Sequence, residues 1–255
     1  LLAQQSTFSQ QHLKLAKKLL RITSLPGVLS ACAALQAYYD AGLHIQSPSS
    51  DRVAQVLGGH NLTNGYIANN VKVYNQDEPD YIDPLFGLLS HDTDVLSVVS
   101  HLLDIKGPSY TVGGACASGN LALVQAYDML QLGRADIAFT SAVGVTDSKI
   151  SLHGWALMDA LSFKSYNQDP TRASRPFDTK REGFVPSDGA AVLVLETLTS
   201  AKQRGATIYA ELSSASMSSD ACRLSQPDIT GQARTMEEAL KQAQLNPQDI
   251  GYINA

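Results

Sequence analysis

Apolar residues recur at intervals of three and four positions in several stretches of the chain, which is the spacing of one face of an α-helix. In the last of these stretches Met236, Leu240 and Ala243 share a face before Pro247 ends the pattern. The spacing predicts helices over residues 8–20, 28–39, 84–103, 121–132, 151–161, 199–204 and 232–244. Polar residues dominate 69–83, which predicts a loop there.

Short apolar runs of strand length lie between the helical stretches. Residues 136–143 (DIAFTSAV) and 190–196 (AAVLVLE) are typical of strands buried on both faces. Further strands are predicted at 52–57, at 110–112, at 208–213 and from residue 251 onward. Strands that alternate with helices predict a layered α/β fold with a largely parallel or mixed sheet. The connections 58–83 and 162–189 exceed the usual loop length, which is typical of functional or interface segments.

Composition narrows the classes of protein that the pattern allows. The 255 residues carry a formal net charge of −5 with scattered acidic residues, which argues against a nucleic-acid-binding surface and against an acidic tail. No apolar run approaches the roughly 20 residues that span a bilayer, so no membrane partner is expected. The first ten residues lack the basic start of a secretory signal, so none is predicted.

The positions of the cysteines and glycines limit which kinds of bond and binding site the sequence can form. Cys32, Cys116 and Cys222 are far apart and odd in number, which suits a reducing cytoplasm rather than a disulfide framework. No spacing among histidine, cysteine and acidic residues is typical of a metal site, so no metal is expected. The paired glycines at 58–59 and 113–114 lack a phosphate-binding pattern, so no nucleotide and no cofactor is expected.

The chemistry that stands out is a lone cysteine at residues 107–119, which read GPSYTVGGACASG. A short extended run meets a turn of small residues, then Cys116, then the predicted helix. A thiol at the start of a helix readily forms the thiolate that attacks carbonyls. Packing of Cys116 as a small buried hydrophobe is the alternative interpretation of the same local pattern.

The same segment resembles the active-site signature of the β-ketoacyl synthases, the condensing enzymes of fatty acid and polyketide synthesis. Further blocks follow the order and spacing of that family: ALS at 160–162, DP at 169–170, ASRPFD at 173–178, REGFV at 181–185, DGAAVLVLE at 188–196, IYAEL at 208–212, MSSDA at 217–221 and YINA at 252–255. The resemblance is dense from residue 107 to the end. Before residue 103 it rests on helix order, on YDAGL at 39–43 and on the glycines at 58–59.

The resemblance implies a thiolase-like fold of two related αβαβα halves, usually in a homodimer. On that basis residues 1–200 correspond to the N-terminal half and 201–255 to the start of the C-terminal half. It also implies a two-step condensation. The cysteine accepts an acyl group as a thioester, and a malonyl-type extender on the phosphopantetheine arm of an acyl carrier protein then decarboxylates and attacks it.

Individual roles follow from the same resemblance. Cys116 corresponds to the nucleophile, and its own backbone N–H to one donor of the oxyanion hole. Trp155 falls where the family lines the acyl tunnel with a bulky aromatic residue, although simple core packing of a tryptophan remains an alternative. Phe184 falls where the family keeps a phenylalanine near the nucleophile. Ser225 and Gln226 fall where side chains meet the pantetheine arm.

Two departures from the family pattern affect these expectations. The family usually has threonine two residues before the nucleophile, where this sequence has Gly114. The two catalytic histidines and the lysine of the family would follow Ala255, and the family's opening valine-rich strand would precede Leu1. The chain is therefore expected to be truncated at both ends relative to a complete domain. The histidines that are present are expected to be surface or structural side chains: His12, His44, His60, His91, His101 and His153.

Alternatives of two other kinds remain open. One is a ketosynthase-like decarboxylase that makes acetyl-carrier without condensation. The other is a non-catalytic partner subunit, such as a chain-length factor, in a ketosynthase-type heterodimer. Both kinds of relative typically replace the nucleophile, so the presence of Cys116 favours the condensing enzyme. The departures at Gly114 and at residues 151–154 favour a polyketide pathway over a fatty acid pathway.

Overall fold

The computed structural model describes residues 7–76, 79–223 and 226–254. Four strands form one mixed sheet in the order β2-β1-β3-β4. The strands are β1 (Val53–Gly58), β2 (Ser109–Val112), β3 (Ile137–Gly144) and β4 (Gly189–Glu196). β1 runs parallel to β2 and β3, while β4 pairs antiparallel to β3. The layered α/β fold with a mixed sheet that the sequence predicts is therefore confirmed.

Helices connect and cover the strands. Within the described ranges they are α1 (Gln10–Leu19), α2 (Leu25–Asp40), α3 (Asn64–Tyr74), α4 (Phe86–Leu89), α5 (Thr93–Leu103), α6 (Ser118–Gln131), α7 (Lys149–Leu157), α8 (Leu198–Gln203) and α9 (Ile229–Ala243). In this part of the chain, no helix is both long and apolar enough to cross a bilayer.

The two faces of the sheet are packed differently. On one face α1, α2 and α5 bury large side chains against Val53, Ile137 and Phe139. Burial of Phe139, which is 2% exposed, stabilises the fold by about 2–3 kcal/mol. On the other face α6 packs small residues, among them Ala122 and Ala126, against the central strands. These small residues let α6 lie close to the sheet, which fixes the position of its N-terminus.

Two helix predictions need correction. Residues 69–83 are not all loop, because α3 extends to Tyr74. Its polar residues have a local use: the Asn70 side chain donates to Tyr66 O and accepts from the Asp83 N–H, which holds the returning chain. The single helix predicted at 84–103 is two helices. Between them the Asp92 carboxylate accepts the N–H groups of residues 61 and 62, both at 2.8 Å.

Three strand predictions also need correction. β4 exists, but it is half-exposed rather than buried on both faces, because it lies at an edge of the sheet. Residues 208–213 and 251–254 form no strand, since neither segment pairs with a strand in the described part of the chain. Instead the Tyr209 hydroxyl donates to the Asp40 carboxylate at 3.0 Å. Alternating apolar residues indicate an extended segment but cannot specify a partner for it. The division of the chain near residue 200 remains a prediction.

Candidate active site

The connections that could form a site gather at one end of the strands, which we call the carboxyl edge of the sheet. Because β1, β2 and β3 are parallel, their carboxyl ends meet at this edge, where Gly58 pairs with Val112 and with Ala142. β4 is antiparallel and begins here, with Gly189 opposite Gly144. Four segments therefore lie at this edge: 59–62, 113–117, 145–148 and 183–188. Ligand sites of open α/β sheets are commonly built at the carboxyl ends of parallel strands.

Cys116 lies in a sharp turn between β2 and α6. Ala115 has a φ of +49°, a left-handed conformation that costs a residue with a side chain of order 1 kcal/mol. The Ser118 hydroxyl holds this turn, because it accepts from the Gly114 N–H at 2.9 Å and donates to Ala115 O at 2.7 Å. The Cys116 side chain is exposed. The alternative interpretation of a buried packing thiol is therefore wrong.

The turn is held directly over the sheet edge. A β-carbon at Gly58 would lie 2.3 Å from Ser118 O, so only glycine lets the first turn of α6 approach the end of β1. The 14-residue α6 begins at Ser118 and directs its positive end toward the turn. A negative charge that develops beside Cys116 is therefore favoured by about 0.3–1 kcal/mol. This geometry suits a nucleophile that forms an oxyanion on attack.

Gly114, where the family usually has threonine, packs against a side chain of α6. A β-carbon at Gly114 would lie 2.2 Å from Leu121 Cδ1, so the leucine side chain occupies the space of a larger residue. A β-carbon at Gly113 would lie 3.3 Å from His60 Cβ and 3.5 Å from His60 Nδ1. His60 therefore lies against the turn that contains the cysteine. No sequence pattern indicates this proximity, because His60 follows a different strand.

Trp155 and Phe184 form an aromatic pair at the same edge. Their rings meet edge to face, with centroids 5.8 Å apart. The Phe184 backbone is fixed, since its N–H donates to Ala160 O at 2.9 Å and its carbonyl accepts from the Ser162 N–H at 3.0 Å. Trp155 is 36% exposed and Phe184 is 50% exposed, so neither ring is simply part of the core. Their exposed faces can bound a channel for an apolar chain.

Two features hold the long connection that contains Phe184. Gly183 has a φ of +128°, and a β-carbon there would lie 2.2 Å from Ala160 O, so the position requires glycine. The adjacent Glu182 carboxylate accepts the Ser165 N–H at 3.1 Å and the Lys164 N–H at 3.3 Å. The hydrogen bonds from Ser165 in particular lower the pKa of Glu182. This carboxylate therefore stays ionised and secures the connection.

Acidic side chains fix the start of α7. Asp188, just before β4, accepts from the Thr146 N–H at 2.6 Å and from the Thr146 hydroxyl at 2.7 Å. A β-carbon at Gly65 would lie 2.2 Å from Asp147 Cγ, so that carboxyl group lies against the start of α3. Burial, with a smaller contribution from Asp188, raises the pKa of Asp147. These contacts connect the segments that follow β1 and β3.

The structure brings together some of the predicted site residues but not all. Trp155 and Phe184 are in contact, whereas no hydrogen bond or aromatic contact in the described ranges joins either ring to Cys116. Gln226 is exposed. Ser225 lies outside the described residues. Among the residues that the structure describes, no three histidine, cysteine or acidic side chains are grouped to hold a metal ion.

Comparison with known proteins identifies the family. The family described as "Beta-ketoacyl synthase, N-terminal domain" matches residues 3–201. The chain belongs to the β-ketoacyl synthase family. The C-terminal domain of the same family matches residues 209–255. The family resemblance predicted from the sequence motifs is therefore confirmed.

Curated relatives of this β-ketoacyl synthase chain include the "Polyketide biosynthesis malonyl-ACP decarboxylase PksF" of Bacillus subtilis. The two are 32% identical over 94% of this chain and 57% of the length of PksF. The 3-oxoacyl-(acyl-carrier-protein) synthase 2 of Coxiella burnetii is 33% identical over 88% of this chain and 54% of its own length. The chain thus spans little more than half the length of these relatives.

Solved structures agree with this assignment. A β-ketoacyl synthase from Burkholderia phymatum superposes with a TM-score of 0.83 at 29% identity, over 94% of this chain and 58% of its own. A ketosynthase solved in complex with a type II polyketide acyl-carrier protein has a TM-score of 0.78 at 26% identity, over 89% of this chain and 57% of its own. The ketosynthase architecture expected from the sequence is therefore confirmed.

Proposed function

We propose that the protein is a β-ketoacyl synthase that condenses a cysteine-bound acyl group with a malonyl-type extender on acyl carrier protein. The observation that supports this most is the placement of Cys116. Its thiol is exposed in a strained turn at the carboxyl edge of the sheet, beside the positive end of α6. A structural cysteine needs neither exposure nor this geometry.

In the first step the Cys116 thiolate attacks the carbonyl carbon of an acyl thioester. The carbon–sulfur bond to the carrier breaks, and the carrier thiolate leaves and takes up a proton. In the second step the extender loses CO₂, and the electron pair of the broken carbon–carbon bond forms an enolate. The enolate carbon attacks the Cys116 thioester, which releases the Cys116 thiolate and leaves a β-ketoacyl chain on the carrier.

Several groups of this chain would bind or stabilise the reacting molecules in both steps. The Cys116 N–H is a donor for the oxyanion of each tetrahedral intermediate, and removal of one such donor typically lowers the rate by about 10²–10³-fold. The pair Trp155 and Phe184 would bound the acyl channel. Ser225 and Gln226 would contact the pantetheine arm. By the family pattern, the histidines that donate hydrogen bonds to the enolate correspond to positions after Ala255.

A second candidate function is bare decarboxylation of a malonyl-type extender. Its support is the similarity to a relative named as a malonyl-ACP decarboxylase, which aligns with 94% of this chain. A decarboxylase needs the enolate donors but no acyl-accepting thiol. Cys116 therefore favours condensation. One structural neighbour is described as a ketosynthase/chain length factor. A non-catalytic subunit of that kind needs no nucleophile, so Cys116 disfavours this role as well.

Partners follow from the same proposal. The carrier is an acyl carrier protein with its phosphopantetheine arm, as in the solved complex of a related ketosynthase. β2 is an edge strand of the sheet within the described residues, and an edge strand can pair with a second copy or with a related subunit. This supports a homodimer or a ketosynthase-type heterodimer. The spacing of the three cysteines supports a cytoplasmic location.

An assay of the purified protein with malonyl-carrier, with and without an acyl-carrier primer, separates the candidate functions. Condensation predicts CO₂ release together with a primer-dependent β-ketoacyl product, and loss of that product in Cys116→Ala. Cys222→Ala, which removes another exposed cysteine, should retain activity and serves as the matched control. Decarboxylation that proceeds equally with Cys116→Ala and yields no condensed product would contradict the proposal in favour of a decarboxylase.

A further inference from the structure

His60 lies beside the cysteine turn, although it follows a different strand. β1 ends at Gly58. The next N–H, that of Gly59, still donates to Val112 O at 2.9 Å, so the pairing with β2 continues up to His60. The Nδ1 atom of His60 lies 3.5 Å from the position of a β-carbon on Gly113. The His60 side chain is exposed, and no hydrogen bond within the described ranges occupies its ring nitrogens. The imidazole is therefore available to a reaction at the turn.

The backbone after His60 is held in a defined conformation. Asn61 has a φ of +55°, a left-handed conformation that asparagine tolerates better than most residues. The Asp92 carboxylate accepts the N–H groups of residues 61 and 62, both at 2.8 Å. A rigid backbone presents its side chain in one position, which is what a group that takes part in a reaction requires.

The aspartate that holds this loop does not serve its own helix. Asp92 is the N-cap residue of α5, where an aspartate side chain commonly accepts an N–H of the first turn. In this structure the side chain makes no such bond, and both carboxylate oxygens bind the loop after His60 instead. Capping of α5 therefore does not explain Asp92, whereas the position of the loop does.

The first step of the proposed reaction needs a proton acceptor near Cys116. The thiol gives up a proton when its sulfur attacks, and the departing carrier thiolate takes one up. Cys116 lies in a tight turn that begins just after Gly113, because the Ala117 N–H donates to Gly114 O at 3.0 Å. His60 approaches this turn at Gly113, and a positioned imidazole can transfer protons directly or through one water molecule.

We propose that His60 is the proton acceptor for Cys116 during acyl transfer, an inference that rests on the proposed condensing function. The S–H bond of Cys116 breaks as its sulfur attacks, and an N–H bond forms on the unprotonated ring nitrogen of His60. The imidazolium then returns this proton to the sulfur of the departing carrier, so that no proton is gained or lost overall. This role differs from that of the histidines expected after Ala255, which donate hydrogen bonds to the enolate in the second step.

Single-turnover acylation by an acyl-carrier thioester, followed by mass spectrometry of the intact protein, tests this proposal. His60→Ala should lower the rate of Cys116 acylation by about 10²-fold or more, since general base catalysis typically contributes this much. Added imidazole should restore part of the lost rate in His60→Ala and should not accelerate the unaltered protein. His101→Ala is the matched control, because it removes an exposed histidine about 13 Å along α5 from Asp92, and it should leave the rate unchanged.

Two further variants separate proton transfer from other roles of His60. Asp92→Ala releases the loop, so it should lower the acylation rate in the unaltered protein but have no further effect in His60→Ala. His60→Lys keeps a cation at this position, but a lysine ammonium holds its proton at neutral pH, so this variant should be as slow as His60→Ala.

The proposal is overturned if His60→Ala acylates Cys116 at the unaltered rate, if imidazole restores nothing, or if His60→Lys retains the rate. In each of these cases the condensing function still stands, because the unaltered protein is acylated. An unaltered protein that is never acylated at Cys116 would instead overturn the proposed function, and this inference with it.

Discussion

Replacement of Gly114 by threonine tests the packing of the cysteine turn. A β-carbon at this position would lie 2.2 Å from Leu121 Cδ1, whereas ordinary carbon–carbon contacts begin near 3.5 Å. Leu121 must therefore move by more than about 1 Å to admit the new side chain. Gly114 is not among the residues with positive φ, so its backbone does not itself require glycine. The expected effect is steric and comes from one neighbour.

The size of that effect can be bounded. Overpacking of a well-packed position typically costs 1–3 kcal/mol. Leu121 is only half-buried and can rotate partly toward solvent, so we expect Gly114→Thr to lower the free energy of unfolding by about 1–2 kcal/mol. Leu121→Ala removes the obstructing methyl groups. In the Leu121→Ala background, Gly114→Thr should lower the free energy of unfolding by less than about 0.5 kcal/mol. The difference between the two backgrounds corresponds to a coupling energy of about 1 kcal/mol between the two positions.

Urea unfolding of the four proteins in this double-mutant cycle measures the coupling. The rate of Cys116 alkylation by iodoacetamide provides a local readout of the turn, which we expect Gly114→Thr to alter and the double variant to restore. Gly154→Ala, with no atom within 4 Å of the added carbon, is the control for substitution of a glycine. An equal cost of Gly114→Thr in both backgrounds would show that Leu121 is not the reason for the glycine.

Three further substitutions test other parts of the structure. Burial lowers the pKa of His12, so the unfolded chain binds a proton there more readily than the folded chain does. The stability that neutral His12 provides is therefore full above its ordinary pKa of 6.5 and declines as pH falls below it. In His12→Gln the urea midpoint should consequently change less between pH 7.5 and 5.5. Glu196→Gln should destabilise by about 3 kcal/mol in urea, because the Arg204 guanidinium, only 9% exposed, loses its charge partner. Gly183→Ala should red-shift Trp155 fluorescence by displacing the adjacent phenylalanine ring.

Each of these variants has a matched control. His101→Gln removes an exposed histidine, and an equal flattening of the pH profile by this change would contradict the assignment to His12. Asp136→Asn removes the partner of Arg52 in a pair that is 38% and 42% exposed, and it should cost under about 1 kcal/mol. Gly189→Ala adds a carbon with no neighbour within 4 Å and should leave the fluorescence unchanged.

Local patterns predicted the elements that form the sheet and the helix after the cysteine. The run predicted at 136–143 overlaps β3 in residues 137–143, because a strand buried on both faces is apolar along its whole length. The helix predicted at 121–132 overlaps α6 in residues 121–131, because burial of one helix face imposes helical spacing. The strands predicted at 208–213 and from 251 onward were wrong, since an apolar run does not reveal whether a partner strand lies beside it. Polar helix α3 was missed because its residues serve local hydrogen bonds rather than the core.

The candidate site was only partly predictable. The position of Cys116 at a strand-to-helix turn followed from the glycines, the short extended run and the helical pattern around it. The proximity of His60 to Gly113 could not be predicted, because the two meet only through the pairing of β1 with β2. The packing at Gly114 was likewise hidden, since it depends on the volume of Leu121, seven residues further along in the first turn of α6.

Mass spectrometry of the intact protein after exposure to an acyl-carrier thioester shows whether Cys116 is the residue that accepts the acyl group. We expect a mass increase of one acyl group, located by peptide mapping at Cys116 and absent from Cys116→Ala. Cys32, which is buried, and Cys222, which is exposed outside the turn, should remain unmodified. Acylation at Cys222 or Cys32 with Cys116 unlabelled would show that Cys116 is not the nucleophile, and a protein that decarboxylates the extender but never acquires the acyl group would not be a condensing enzyme.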